Sequence, residues 1–297
     1  MSWSQPDKPD GRILRMKIGI ISDLHVDSNE LANEPFVEEV LLNKVQHLKL
    51  DLLIIAGDIS NDVYRSLKVL HRLRDDAGIP VLFVPGNHDY WSKVNGITDT
   101  WEIYRKFQEF DGCLSERPYA LGEDWVVIGN SGWYDYSFGD PHHSFVDYER
   151  MYFMDRTWQD SLYVQWDRGN QEMHRYFYET LERELELHKG KNIILVTHML
   201  SNVNFTVPLP NPQWAYFNAF LGSREYTDLY RKYDVRYSIM GHVHYRKQFH
   251  DHETELICAC LGNRQEWRTT DVRQEIDSTL RILELPVTGF IPTSSVE

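Results

Sequence analysis

Leu82–Trp91, LFVPGNHDYW, is the stretch whose reading decides the fold. Leu82, Phe83 and Val84 form an apolar run with strand character, and Pro85-Gly86 is turn punctuation that ends it. Asn87, His88 and Asp89 then follow in succession, so an amide, an imidazole and a carboxylate stand together where a strand stops. Polar loop tips are common, and one tripeptide carries little weight alone. The pattern gains weight because it recurs along the chain.

Upstream, KIGIIS (17–22) reads as a strand that runs into Asp23 and His25, and LDLLIIAG (50–57) as a buried strand that runs into Asp58. Downstream, NIILVTH (192–198) ends in His198, and VRYSIMGH (235–242) ends in His242, with His244 two residues on. Helical spacing separates these runs. Phe36, Val37, Val40, Leu41, Val45 and Leu48 keep it, as do residues 61–77, about 99–110 and near 223–233. Met173, Phe177, Leu181 and Leu185 mark a charged helix over about 170–188, while 119–132 reads as a hairpin and 246–261 and 279–284 as β-rich. This alternation predicts an α/β fold. In α/β sheets ligands bind beyond the carboxyl ends of the strands, so five strand ends that share one edge would bring these polar groups together.

The residue types suggest what they would bind. Imidazole with carboxylate suits Zn, Fe or Mn, whereas all-oxygen cages suit Mg or Ca. Asp-x-His and His-x-His put both side chains on one face of an extended chain. The donors are too many for one tetrahedral ion; two metals sharing a bridging carboxylate use them well, with Asp58 the natural bridge. Each motif alone has a plainer reading, Gly-Asp as a turn and His198 as a structural histidine. Their joint occurrence, in order and at comparable strand ends, sets those readings aside.

The whole chain narrows the function classes. Its 297 residues can bury a large core, and 42% hydrophobic with 26% charged residues is ordinary for a globular protein. A formal net charge of −14 argues against a stable nucleic-acid partner or a membrane partner. It leaves anionic substrates open, since divalent cations reverse the local field. Cys113, Cys258 and Cys260 are too few for a disulfide framework, and the last two share a face of a strand. MSWSQPDKPDG has no apolar signal core, no apolar run approaches membrane-spanning length, and the expected location is cytoplasmic. Met16 offers a natural start. The expected organisation is an N-terminal tail (1–15), a single domain (16–285) and a C-terminal tail (286–297).

Between Trp133 and Trp166 the chain is crowded with aromatic residues and has little periodicity, which reads as a packed insertion or lid, placed at 133–170. Trp133 and Tyr134 follow a strand and are candidate substrate contacts together with Asn130; the alternative is a satellite core beneath a long loop. His142 and His143 read as a loop, His250 and His252 as a hairpin turn, and His174 and His188 as the surface of the charged helix.

With D-x-H, G-D, G-N-H-D, a lone His and G-H-x-H in this order, the chain resembles the calcineurin-like metallophosphoesterase superfamily from about residue 16 to residue 261. The resemblance implies a four-layer α/β/β/α sandwich and a two-metal centre. Asp23, His25 and His244 would hold one metal, Asn87, His198 and His242 the other, and Asp58 would bridge. His88 would steady the phosphate or protonate the leaving group, with Asp89 orienting its ring. A hydroxide bridging the metals would attack phosphorus in line with the leaving oxygen. Position 61 is Asn where purple acid phosphatases carry a tyrosine, and GDISNDV lacks the Arg-Gly of protein serine/threonine phosphatases. The remaining resemblance is to small bacterial phosphoesterases, including cyclic-nucleotide phosphodiesterases. The expected function is hydrolysis of a small nucleotide-type phosphodiester; the alternatives are a phosphomonoesterase, a nuclease and a non-catalytic scaffold.

Overall fold

A computed structural model describes residues 13–92 and 96–288. Its strands are β1 (Ile13–Ile21), β2 (Leu52–Ile55), β3 (Val81–Phe83), β4 (Tyr119–Leu121), β5 (Trp125–Asn130), β6 (Tyr152–Phe153) and β7 (Arg156–Thr157). They continue with β8 (Asn192–Thr197), β9 (Val235–Met240), β10 (Arg246–Asp251), β11 (Thr254–Ala259) and β12 (Arg281–Thr288).

The run Leu52–Ile55 shows how sequence becomes layers. Side chains alternate along a strand. Leu53 and Ile55 join a core with the helices Val37–Leu48, Val63–Ala77, Thr100–Gln108 and Val272–Thr279. Leu52 and Ile54 join a different core, shared with Val127, Ile194, Val196 and Ile239 of the second sheet. Both faces are covered, which is why the run is apolar throughout rather than alternating. On the far side, Val126, Ile128, Ile193 and Leu195 pack against Leu181 and Leu185 of helix Asn170–Leu187 and Tyr226, Leu229 and Tyr230 of helix Glu225–Lys232. The three cores make the expected α/β/β/α sandwich.

One sheet has the order β12-β1-β2-β3 and the other β10-β11-β9-β8-β5-β4, while β6 and β7 form a separate ribbon. β1, β2 and β3 are mutually parallel, as are β5, β8, β9 and β11, so their carboxyl ends fall together. The sheets meet just beyond those ends, where Leu261 N donates to Ser22 O (2.9 Å) and Gly262 N to Asp23 O (3.0 Å).

The sheet extends past the boundaries read from sequence: Ile13, Leu14 and Arg15 pair with Thr288, Val287 and Pro286. Pro286 is tolerated because β12 is an edge strand. Residues 1–12 and 289–297 of the expected tails lie outside the described residues. The aromatic insertion is packed, with Trp133, Tyr134, Tyr136 and Tyr148 buried in the first core. The three cysteines are free and buried. His174 is not at the surface as expected: it is 3% exposed, between Trp133 O (3.1 Å) and Glu225 Oε2 (2.8 Å). It shares a helix face with the buried Phe177 and Leu181, a spacing that its charged neighbours obscure. No helix among the described residues is long and apolar enough to cross a membrane.

Candidate metal centre

The strand ends present their side chains on unusual backbone. Asp23, His25, Asp58, His242 and His244 all have positive φ, from 41° to 76°, which is disfavoured for any residue with a Cβ. Tight neighbours hold this geometry. Asp23 N donates to Gly57 O (2.9 Å), His25 N to Asp58 O (3.1 Å), and Gly241 N to His198 O (3.0 Å). The glycines of G-D and G-N-H-D make room. Gly57 itself has φ +88° and a Cβ there would lie 2.5 Å from His198 Nδ1, while one at Gly86 would overlap Asp58 Oδ1.

Two groups of ligand atoms result: Asp23, His25, Asp58 and His244, and Asp58, His198 and His242, each lying within 4.8 Å of one another. Asn87 Oδ1 joins the second group, 3.1 Å from His198 Nε2 and 2.9 Å from His242 Nδ1. Asp58 belongs to both. Its Oδ1 accepts from His88 N (2.9 Å), whereas Oδ2 is buried without a hydrogen bond, 3.3 Å from His198 Nε2 and 3.8 Å from His25 Nε2.

The outer hydrogen bonds fix which imidazole nitrogen faces inward. His198 Nδ1 has Ala56 O as its partner (2.8 Å), His242 Nε2 has Phe220 O (3.2 Å), and His244 Nδ1 has Glu266 Oε2 (2.5 Å). Each partner only accepts, so each of these nitrogens carries the proton. The inward nitrogens crowd together: His198 Nε2 and His242 Nδ1 are 3.2 Å apart, and His244 Nε2 lies 3.1 Å from Nε2 of His25, whose Nδ1 is buried without an outer partner. Crowded acceptors and an orphaned carboxylate oxygen call for positive charge between them. A proton can take a cation's part: against the cost of burial Asp58 pushes the His198 pKa up to about 10, so that Nε2 carries a proton where a metal would otherwise be held, while burial and His198 press His242 down to about 3. Two cations fit this donor set and would relieve both groups at once.

Residues 16–246 match the family described as calcineurin-like phosphoesterase. The chain belongs to that family. Among solved structures, the phosphopantetheinyl hydrolase of Mycobacterium tuberculosis is 19% identical, with a TM-score of 0.70 over 91% of this chain and 96% of that one. The protein TT1561 of Thermus thermophilus is 13% identical, with a TM-score of 0.50 over 91% of this chain and 98% of that one. Identities this low speak to the fold alone. None of the curated proteins matches the chain. As a calcineurin-like phosphoesterase, the protein is a metal-dependent phosphoester hydrolase by family, and its two ligand groups point to a dinuclear centre.

The candidate metal centre opens into a cavity of ≈ 810 Å³, whose lining includes Asp58, Asn87, His88, His242 and His244 with Trp91, Arg156, Trp158, Trp214 and Tyr245. His88 is not oriented by Asp89. Its Nδ1 donates to Asn61 Oδ1 (2.8 Å), Asn61 Nδ2 donates to Asp27 Oδ2 (2.8 Å), and the imidazole packs against Trp91, tilted by 33° with centroids 3.6 Å apart. Asp89 points the other way, accepting from the backbone N–H groups of Asp58, Ile59, Ser60 and Gly86 and from Ser66 Oγ. It organises the loops after β2 and β3 instead.

Asn130, Trp133 and Tyr134 are likewise displaced from the role expected of them. They are at most 1% exposed and absent from the cavity wall. Asn130 Nδ2 donates to Phe177 O (2.9 Å), Trp133 Nε1 to Asn170 Oδ1 (2.8 Å), and Tyr134 OH to Asp160 Oδ2 (3.3 Å). The insertion instead reaches the cavity through Asp155–Gln159 and Leu162. Sequence reasoning misses Asn61, Glu266 and Asp160. Asn61 has a signal in its place three residues after Asp58, although there it registers only as the absence of a tyrosine; Glu266 and Asp160 carry no local mark.

Proposed function

We propose that this protein hydrolyses a small phosphodiester of nucleotide type at a dinuclear centre of Mn, Fe or Zn. Asp23, His25 and His244 hold one metal, Asn87, His198 and His242 the other, and Asp58 lies between them. The observation that carries the diester reading is the charge of the cavity wall. Among the described residues it offers one side-chain cation, Arg156, against Asp155 and Glu266 beyond the metal ligands. A singly charged diester asks for less positive charge than a doubly charged monoester.

The metals, when bound, supply Lewis acidity and lower the pKa of water. The chain does the rest. His88 donates Nδ1–H to Asn61, so it is as an imidazolium, the form an anionic substrate favours, that its Nε2 holds a phosphoryl oxygen or passes a proton to the leaving oxygen. The rings of Trp158 and Trp214 in the cavity wall suit a flat base and keep water from the leaving group. Three buried free thiols favour a reducing compartment such as the cytoplasm.

The test is hydrolysis of bis-p-nitrophenyl phosphate beside p-nitrophenyl phosphate with Mn²⁺, followed by cyclic nucleotides, dinucleotides and a phosphopantetheinyl ester, the last because a fold neighbour is named for that group. A higher kcat/KM on the diester is expected, and a higher one on the monoester refutes the diester reading in favour of the phosphomonoesterase. Loss of turnover in His88→Ala with metal retained argues against a scaffold.

A further inference from the structure

We infer that Asp160, a carboxylate of the aromatic insertion, is the positioning residue that decides which atom of Asn87 faces the second metal. The inference rests on the two-metal reading above and is independent of the diester preference. Asp160 opens the short helix Asp160–Tyr163 and is 2% exposed. Among the described residues it makes no ion pair, and four donors converge on it instead. Oδ1 accepts from Asn87 Nδ2 (2.9 Å) and Trp91 Nε1 (2.7 Å); Oδ2 accepts from Trp158 Nε1 (2.8 Å) and Tyr134 OH (3.3 Å). A buried carboxylate without a cation is costly, and donors on both oxygens offset that cost.

The consequence falls on Asn87, itself 2% exposed. A carboxamide can present either its oxygen or its NH₂ to a metal site, and only the oxygen ligates. An ionised carboxylate only accepts. Asp160 therefore takes the NH₂, and the rigid amide turns Oδ1 toward His198 and His242. The same carboxylate fixes the indole N–H groups of Trp91 and Trp158, both in the cavity wall. One side chain thus ties the insertion to the metal ligand and to two faces of the substrate cavity. Asp160 acts through Asn87 and does not touch the reacting atoms.

The test is Mn²⁺ binding and electron paramagnetic resonance of wild type and Asp160→Asn. The asparagine is isosteric but offers one accepting oxygen and one NH₂ to four donors, so it can meet either orientation of the Asn87 amide and no longer dictates one. Removing such an outer partner weakens metal binding by about 10- to 100-fold. The expected result is that loss for the second equivalent of Mn²⁺ alone. The variant then shows the six-line signal of isolated Mn²⁺ at concentrations where wild type shows a coupled pair. Tyr134→Phe with Trp158→Phe strips Oδ2 of both donors but leaves the Asn87 contact, so it keeps the coupled pair; that variant carries the test alone if Asp160→Asn does not fold. Wild-type affinity for both equivalents in Asp160→Asn, or loss of the pair in the double variant, overturns the role of Asp160 and leaves the two-metal reading standing. A wild type that forms no coupled pair at saturating Mn²⁺ overturns the two-metal reading, and the role of Asp160 with it.

Discussion

Asp89→Asn isolates the tie that holds Asp58 in place. The carboxylate is fully buried; Oδ2 accepts from Asp58 N (2.8 Å) and Gly86 N (2.9 Å), and Oδ1 from Ile59 N (3.1 Å), Ser60 N (3.3 Å) and Ser66 Oγ (2.8 Å). Asparagine keeps the shape but turns one oxygen into an NH₂. In either orientation at least two buried N–H groups then face a donor. Leaving a buried donor unsatisfied costs about 1–2 kcal/mol, so the substitution destabilises the fold by roughly 2–4 kcal/mol. For a chain of this size that is a fall in Tm of about 3–6 °C. The assay is calorimetric or urea unfolding of chelated protein, because bound metal would mask the difference by linkage. Weaker metal binding accompanies the loss, since these N–H groups hold Asp58 at φ 57°. Stability within about 0.5 kcal/mol of wild type, with turnover alone reduced, would refute the tie and revive a direct action of Asp89 on His88.

Asn61→Ala removes the acceptor on His88 Nδ1 and lowers kcat by roughly tenfold or more with metal content unchanged, measured by steady-state kinetics beside metal analysis. Glu275, which belongs to neither ligand group, is buried against Arg246. Burial works against its charge, but hydrogen bonds from Arg246 and Thr269 hold its pKa below the usual glutamate range. Its contribution is therefore present above the unfolded pKa and lost as pH falls through the folded one. Urea midpoints followed from about pH 6 to about pH 3 should fall more steeply in wild type than in Glu275→Gln, and equal slopes would count against the pair. Because Asp58 Oδ2 is buried without a hydrogen bond between the two ligand groups, Tm should also rise with Mn²⁺ concentration, and Asp58→Asn should blunt that rise in the same thermal scan.

Much of this protein can be read without coordinates. The apolar runs ending in Asp23-x-His25, Asp58, Asn87, His198 and His242-x-His244 are local patterns, and a parallel sheet brings such ends to one edge whatever the intervening sequence. The α/β class and the candidate ligands follow from that regularity, whereas the four layers are what the resemblance to the metallophosphoesterase superfamily implies. Partner choice does not. His88 takes Asn61, 27 residues away, rather than its neighbour Asp89, because the turn after β3 aims the two side chains in opposite directions. Asp160 reaches Asn87 across 73 residues, through an insertion without periodicity. Trp133 and Tyr134 follow a strand as substrate contacts might, yet they turn into the core, because the insertion has aromatic surface of its own to bury. Periodicity is a property of the backbone and survives in the sequence; which donor meets which acceptor depends on rotamers and long-range packing, and only the tertiary structure decides it.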